Sequence, residues 1–202
     1  MNDAAQRSPE GARMLEYLTT RAAGLGVVQI RARCRAAVAE LDSALAGITE
    51  AEARRHPVAG QWSIAEVVDH LAQTTIRVAD ELRHLLGGRR PPGPPVYEAL
   101  TSGAAVWAPW PELLEGLRAA NEELDHLLAG ASGTEPAGAP TARTILVVNR
   151  TGAGGRVTPE VFSAELGWKE YALVQRLHLL DHRTQVRTLR ATVAGGSGAA
   201  TG

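Results

Sequence analysis

The sequence predicts an all-α fold, a four-helix bundle with one long crossover connection. Four long segments repeat apolar residues every three or four positions, which is the period of a helix packed on one face. Stretches rich in glycine and proline separate these segments. The 202 residues, 45% hydrophobic and 21% charged, suit one globular domain. We expect that domain at residues 11–194, between a flexible N-terminus at 1–10 and a disordered tail at 195–202.

The first long helix is predicted near residues 27–47. Apolar residues recur at helical spacing from 11 to 48, and Gly24 and Gly26 divide this run into a short lead-in helix and the main helix. Cys34 lies inside the main helix, where we interpret it as a small buried or half-buried residue.

The second long helix is predicted from Ile64 to about Leu86. Ser63 and Glu66 have the spacing of a capping box, in which each side chain accepts a hydrogen bond from the backbone N–H of the other residue. The glycine pair 87–88 follows the last apolar residue and suits a left-handed C-terminal cap.

The crossover is predicted to begin at residues 89–95, which read Arg-Arg-Pro-Pro-Gly-Pro-Pro and favour an extended spacer over a helix. Recognition of this proline-rich segment by a partner is the alternative interpretation. Residues 97–107 fit either a short helix or a loop. The third long helix opens at Pro109-Trp110-Pro111, with proline in the first turn, where its missing N–H costs nothing. A loop is expected at 130–140.

A short extended hairpin is expected near 144–158. Residues 144–149 are mostly β-branched, and the glycine-rich segment after them indicates a tight turn. A phosphate cradle is the alternative, but the segment lacks the Gly-Lys-Ser/Thr of a P-loop and no helix opens directly after it. The last long helix is predicted to begin at about Ala164 or Trp168 and to end at Val193.

The composition argues against several classes of function. A formal net charge of −1 disfavours binding to nucleic acid or a membrane surface through bulk charge, and 4% aromatic residues disfavour a base-stacking surface. The N-terminus has no apolar core of the signal-peptide kind, and no run approaches the roughly 18–20 apolar residues of a membrane span. The single cysteine fits a reducing compartment. We therefore expect a cytoplasmic protein that binds neither nucleic acid nor membrane.

The last helix carries a pair of histidines that face inward. His178 and His182 are four residues apart, so both rings project from one side of the helix. At about 100° per residue, Tyr171 and Leu189 lie about 20° from each of the two histidines, which places the histidines on a partly apolar stripe. Two basic side chains directed inward indicate a ligand, and a metal ion is the best candidate.

One further histidine can join this pair. His70 lies at the edge of the buried face of the second long helix. His84 is on the same side of that helix but about 21 Å further along it, which is too far to share one ion. His126 lies opposite the apolar face of its helix, and His56 lies in a loop before proline, so both are expected to be solvent-exposed or without a special role.

Three neutral imidazoles from two helices are sufficient to hold a metal ion. His70, His178 and His182 would suit zinc, nickel, iron or copper and would leave coordination positions open. Such an ion lowers the pKa of bound water to about 7 or holds a thiolate, as hydrolysis or thiol transfer requires. The alternative is that each ring is a hydrogen-bonded core residue.

Three acidic residues near the histidines are not predicted to be ligands. Asp69 and Asp181 each precede a histidine, and adjacent helical positions diverge by about 100°, so we interpret both as salt-bridge or surface groups. Glu66 lies four residues before His70, but its capping role already accounts for it.

Short motifs, taken in this order along the chain, resemble those of the DinB/YfiT-like superfamily of metal-binding four-helix bundles. They are Trp62-Ser63-Ile64, His70-Leu71, a proline-interrupted middle, Glu165-Leu166-Gly167-Trp168-Lys169-Glu170-Tyr171, and His178-x3-His182-Arg-x-Gln185. That superfamily includes DNA-damage-inducible proteins of unclear activity, proteins described as metal-dependent hydrolases, bacillithiol transferases and mycothiol-dependent maleylpyruvate isomerases.

The resemblance spans roughly residues 27–192 and implies that His70, His178 and His182 occupy the positions of the family's metal triad. It implies a divalent ion (zinc, nickel, iron or manganese), a small-molecule substrate, and either hydrolysis or activation of a low-molecular-weight thiol for S-transfer. A homodimer is also expected of such bundles. The Ala/Gly-rich insert at about 130–158 exceeds the short connection expected there. The alternatives are a metal- or small-molecule-binding protein without turnover, and a purely structural bundle.

Overall fold

The computed structural model describes residues 8–133, 138–151 and 157–196 of the chain. Its helices are α1 Pro9–Gly24, α2 Val27–Leu45, α3 Glu50–Arg54, α4 Ile64–Leu86, α5 Trp110–Ala129 and α6 Trp168–Gly196, with a 3-10 turn at Ala104–Val106. Two strands, β1 Ala142–Thr151 and β2 Val157–Leu166, form one antiparallel sheet. Within the described ranges no helix has the length and apolarity needed to cross a membrane.

Four of the helices form the predicted bundle. α2 packs on α6, α6 on α4, α4 on α5 and α5 on α2, so each of the four contacts two neighbours around a common core. Buried side chains such as Leu41, Leu71, Leu117 and Leu179 fill that core. The prediction of a mostly helical four-helix bundle is confirmed.

The start and end of α4 follow from its local sequence, as predicted. The Ser63 hydroxyl accepts from the backbone N–H of Glu66 at 3.3 Å, and the Glu66 carboxylate accepts from the Ser63 N–H at 2.6 Å, which forms the capping box. At the other end Gly88 has a φ of 70°, and Arg89 donates its N–H to the carbonyl of His84 at 2.9 Å. This is the left-handed cap that the glycine pair predicted.

The hairpin is confirmed but is longer than predicted. Its register runs from the pair Ala142–Leu166 to the pair Thr151–Val157, whereas the sequence predicted 144–158. The suggested helix start at Ala164 is therefore wrong, because Ala164 lies in β2. Burial alternates along this strand, with Phe162, Ala164 and Leu166 buried, and this two-residue period marks a strand with one face on the core. The expected turn falls at residues 152–156, which lie outside the described residues.

The predicted ends of the domain are only partly described. Ser8 caps α1, whose helix begins at Pro9, so the last residues of the expected flexible segment 1–10 are helical. The rest of that segment, residues 1–7, lies outside the described residues. α6 extends to Gly196, and residues 197–202 likewise lie outside them.

Residues 89–95, at the start of the crossover between α4 and α5, form no helix, as predicted, and the 3-10 turn lies in 97–107, where the sequence allowed a short helix or a loop. Arg90 at its start pairs with Glu165 of β2. Near its end, Arg54 of α3 donates to the carbonyls of Ala105 and Ala108. The crossover is therefore fastened to the rest of the fold at both ends, and its middle passes beside α4 at His70.

Candidate metal centre

His70 is positioned by the first turns of α4. Ser63 starts the helix, and seven residues later the His70 ring faces the bundle interior with a side chain that is 8% exposed. The Trp62 ring packs beside it with the ring centroids 5.1 Å apart. Ser63 therefore positions His70 by starting its helix, and Trp62 positions it by direct contact with the ring.

The structure brings His70 of α4 together with His178 and His182 of α6. Nε2 of His178 lies 3.1 Å from Nε2 of His70 and 2.9 Å from Nε2 of His182. One ring nitrogen from each residue lies within 4.8 Å of those of the other two. Two nitrogens bound to one zinc ion at about 2.0–2.1 Å, with angles between 90° and tetrahedral, are about 2.8–3.4 Å apart. The spacing of the His178 pairs fits nitrogens that share an ion.

Hydrogen bonds at Nδ1 leave a lone pair at Nε2 in two of the rings. His70 Nδ1 lies 2.9 Å from the carbonyl oxygen of Leu100, and His182 Nδ1 lies 2.7 Å from Oε1 of Gln185. Because these oxygens can only accept, each Nδ1 carries the proton and each neutral ring presents an unprotonated Nε2. His178 Nδ1 is buried with no partner among the described residues, so no hydrogen bond there selects its tautomer.

The environment of the three rings disfavours their protonated forms. Burial is the largest cause in each case and lowers the pKa of His70, His178 and His182 below the ordinary histidine value. For His178 the pKa falls to about 3, with the neighbouring His182 and His70 adding to the effect of burial. The rings are therefore neutral at pH 7, the form in which imidazole binds zinc, nickel, iron or copper. The donor set fits a divalent transition metal.

The three histidines line one cavity of about 870 Å³. Its walls come from α4, α6, β1 and the crossover segment 95–100. Apolar side chains such as Leu146 and Val174 line part of it, and polar or charged side chains come from each of these walls, among them Arg77 of α4, Glu98 of the crossover and Arg143 of β1. Apolar surface combined with polar groups that can orient a ligand suits a small-molecule site.

Asp69 differs from its predicted role as a salt-bridge or surface group. It is 3% exposed, and its carboxylate accepts hydrogen bonds from the backbone N–H and hydroxyl of Ser102 and from the N–H of Gly103. The prediction was wrong because the crossover returns to this side of α4, which the sequence of the helix does not reveal. Asp181 is exposed and Glu66 caps α4, as predicted.

The remaining histidines stay away from this site. His126 is exposed, as predicted, and His56, predicted to have no special role, is also exposed and bonds through Nδ1 to the carbonyl of Gln61. His84 bonds through Nδ1 to the carbonyl of Asp80. In the described part of the chain, the set of His, Cys, Asp and Glu side chains close enough to hold an ion is His70, His178 and His182. The sequence did not predict that the carbonyl of Leu100 bonds to His70, and no sequence signal exists for it. It also did not predict that Gln185 bonds to His182, although the three-residue spacing between them was a usable signal.

Among solved structures, the chain is similar to a protein whose title reads "Crystal structure of TT2238, a four-helix bundle protein", with 17% identity, a TM-score of 0.47, and coverage of 78% of this chain and 98% of that one. No curated protein matches the sequence significantly. The family model of the DinB superfamily matches residues 33–153, more than half of the chain, a range that includes His70 and ends before His178. The chain therefore belongs to the DinB superfamily.

Proposed function

We propose that this protein is a divalent-metal-dependent enzyme in which His70, His178 and His182 hold the ion. The reaction would be hydrolysis of a small molecule or transfer of a low-molecular-weight thiol. The observation that carries the proposal is the convergence of three Nε2 atoms, at 2.9 and 3.1 Å from one another through His178, on the wall of a large cavity. Two hydrogen-bond acceptors, the carbonyls of Leu100 and Gln185, already orient two of the rings for binding.

The chain's own residues would perform the remaining tasks. Zinc, nickel, iron or manganese, when bound, would supply Lewis-acid activation. The apolar walls formed by side chains such as Leu146 and Val174 would exclude water and receive the apolar part of the substrate. Thr74 and Arg77 would orient polar groups of the substrate from the α4 side.

Both reactions balance without an oxidant or a reductant. In hydrolysis, the oxygen of water forms the new bond to carbon, and the leaving group departs with the electron pair and takes up a proton. In S-transfer, the sulfur forms the new carbon–sulfur bond, the thiol proton passes to solvent, and the leaving group departs with its electron pair. Imidazoles with low pKa values stay neutral and available as ligands in both.

A non-catalytic metal- or small-molecule-binding protein is the second candidate, since the same three histidines and cavity would serve sequestration. We propose a cytoplasmic location, because the single cysteine suits a reducing compartment. Homodimer formation stays a prediction for size-exclusion measurements.

Metal analysis tests the proposal directly. Purified protein is stripped with a chelator, loaded separately with zinc, nickel, iron and manganese, desalted and analysed by mass spectrometry. We expect one equivalent of metal in the wild type and in His126→Ala, whose histidine is exposed on α5, and a loss of stoichiometric metal in His178→Ala and His182→Ala. Equal metal contents in all four proteins would contradict the proposed site.

A second measurement separates enzyme from binder. The metal-loaded protein is assayed with low-molecular-weight thiols plus electrophiles, and with ester and amide substrates. We expect turnover that disappears in His178→Ala and persists in His126→Ala. Full metal loading without turnover on any of these substrates would favour the binding protein.

A further inference from the structure

Asp69, the residue before His70, bonds to the same loop that bonds to the His70 ring. Asp69 and His70 are consecutive on α4, so their side chains leave the helix about 100° apart. His70 Nδ1 bonds to the carbonyl of Leu100, while the carboxylate of Asp69 bonds to Ser102 and Gly103. Two adjacent residues of the helix therefore hold one short stretch of the crossover, 100–103, at two points.

The contact between Asp69 and the crossover is dense and specific. Oδ1 of Asp69 accepts a hydrogen bond from the Ser102 hydroxyl at 2.6 Å. Oδ2 of Asp69 accepts from the N–H of Ser102 at 3.1 Å and from the N–H of Gly103 at 3.0 Å. The Ser102 hydroxyl in turn accepts from the N–H of Ala104 at 3.1 Å, at the start of the 3-10 turn. Gly103 has a φ of 76°, a conformation that glycine adopts without strain.

Without this carboxylate the Leu100 carbonyl has few other restraints. Residues 96–99 before it are exposed, and Leu100 itself is only partly buried. Its carbonyl oxygen nevertheless lies 2.9 Å from Nδ1 of His70, closer than the Thr74 hydroxyl at 3.5 Å, and because a carbonyl can only accept, it keeps the proton on Nδ1 and leaves Nε2 free. A shift of the loop would release this ring to exchange between its two neutral tautomers, one of which carries a proton at Nε2 and cannot bind a metal through that atom.

We infer that Asp69 is a positioning residue of the candidate metal centre, acting through the 100–103 loop to hold His70 in the tautomer and orientation that present Nε2. As far as metal affinity is concerned this inference rests on the proposed function, whereas the effect on the tautomer of His70 does not. A carboxylate suits the role because it accepts from all three donors at once. Asn at this position has a single acceptor oxygen, so its NH2 group would face either the Ser102 hydroxyl or the two backbone N–H groups, and at least one of the three hydrogen bonds would be reversed or lost.

The test compares Asp69→Asn with Asp125→Asn. Asp125 is a matched control, since its carboxylate also accepts from a distant element, Arg31 of α2 at 2.6 and 2.8 Å, but lies outside the cavity and the histidine cluster. Both changes remove a tertiary carboxylate contact and are expected to lower stability. Only Asp69→Asn is expected to weaken zinc binding, by about 10-fold, the lower end of the range for groups that orient a ligand.

A second readout does not depend on metal. Long-range proton–nitrogen NMR spectra of the metal-free protein, with His70 assigned from its loss in His70→Gln, report which ring nitrogen carries the proton. We expect Nδ1–H in the wild type and in Asp125→Asn, and a mixture of tautomers in Asp69→Asn. If Asp69→Asn fails to fold, Ser102→Ala, which removes one of the three hydrogen bonds, should shift both readouts in the same direction by a smaller amount.

The outcomes separate this inference from the proposed function. If the wild-type protein binds no zinc, the proposed metal site is wrong, but the tautomer measurement still tests the role of Asp69. An Asp69→Asn protein (or Ser102→Ala, where that replaces it) with the zinc affinity of Asp125→Asn and with the proton still on Nδ1 would overturn the inference, because Asp69 would then be an anchor of the loop alone.

Discussion

The burial of His178 predicts that the metal-free protein loses stability as the pH falls below about 6.5. The pKa of this ring is about 3 in the folded protein, and an unfolded histidine has a pKa of about 6.5. Between these values the unfolded chain binds a proton that the folded chain does not, so the free energy of unfolding decreases with decreasing pH. At a pH well above 6.5 both states are unprotonated at this position, and the effect vanishes.

The size of the effect follows from the linkage relation. One such group changes the free energy of unfolding by at most about 1.4 kcal/mol per pH unit, or about 2 kcal/mol between pH 6.5 and 5.0. His70 and His182 act in the same direction, because burial lowers their pKa values as well. Carboxylates contribute mainly at lower pH, and their contribution is common to the wild type and to a variant at His178.

The assay is urea unfolding in the presence of a chelator at several pH values from 5.0 to 7.5. The wild type is compared with His178→Gln, which removes the buried titrating group, and with His126→Gln, which replaces an exposed histidine of α5. We expect the pH slope of stability to decrease by about 1 kcal/mol per unit in His178→Gln and to stay unchanged in His126→Gln. Parallel curves for the wild type and His178→Gln would refute the reasoning that this ring is kept neutral by the fold.

Two further predictions test the packing of the bundle and the ends of its helices. Leu82→Ala, at a fully buried position of α4, should lower the free energy of unfolding by about 2–5 kcal/mol. Val28→Ala, at a position 80% exposed, should change it by less than about 0.5 kcal/mol. Equal urea midpoints for the two variants would contradict the assigned core. Gly88→Ala, at a φ of 70°, should cost about 1 kcal/mol through backbone strain alone, since nothing lies within 4 Å of the added methyl group. By contrast Gly116→Ala, on the exposed face of α5 and equally free of contacts, should stabilise the protein by about 0.5–1 kcal/mol. Thermal unfolding of both variants is the measurement. Changes of the same sign in the two variants would contradict the left-handed cap assigned to Gly88.

Local sequence signals were accurate where a feature depends on neighbouring residues. The capping box of Ser63 and Glu66 located the start of α4, because the bonds that make it lie within one helical turn. The glycine break at 24–26 separated α1 from α2 for the same reason. The second strand was harder to place, since Ala164 and Leu166 are compatible with a helix or a strand until β1 supplies a pairing partner.

The sequence alone determined that two imidazoles share one face, since His178 and His182 are a single helical turn apart and no distant contact is needed to align them. The sequence also proposed His70 as the third ring, but only the tertiary structure shows that it meets the pair. His70 comes from a helix more than one hundred positions earlier, and the packing of α4 on α6 brings its ring to 3.1 Å from His178. The return of the crossover also turned Asp69 from an expected surface charge into a buried acceptor. Contacts between segments so far apart depend on how whole elements pack, and no short stretch of sequence contains that information.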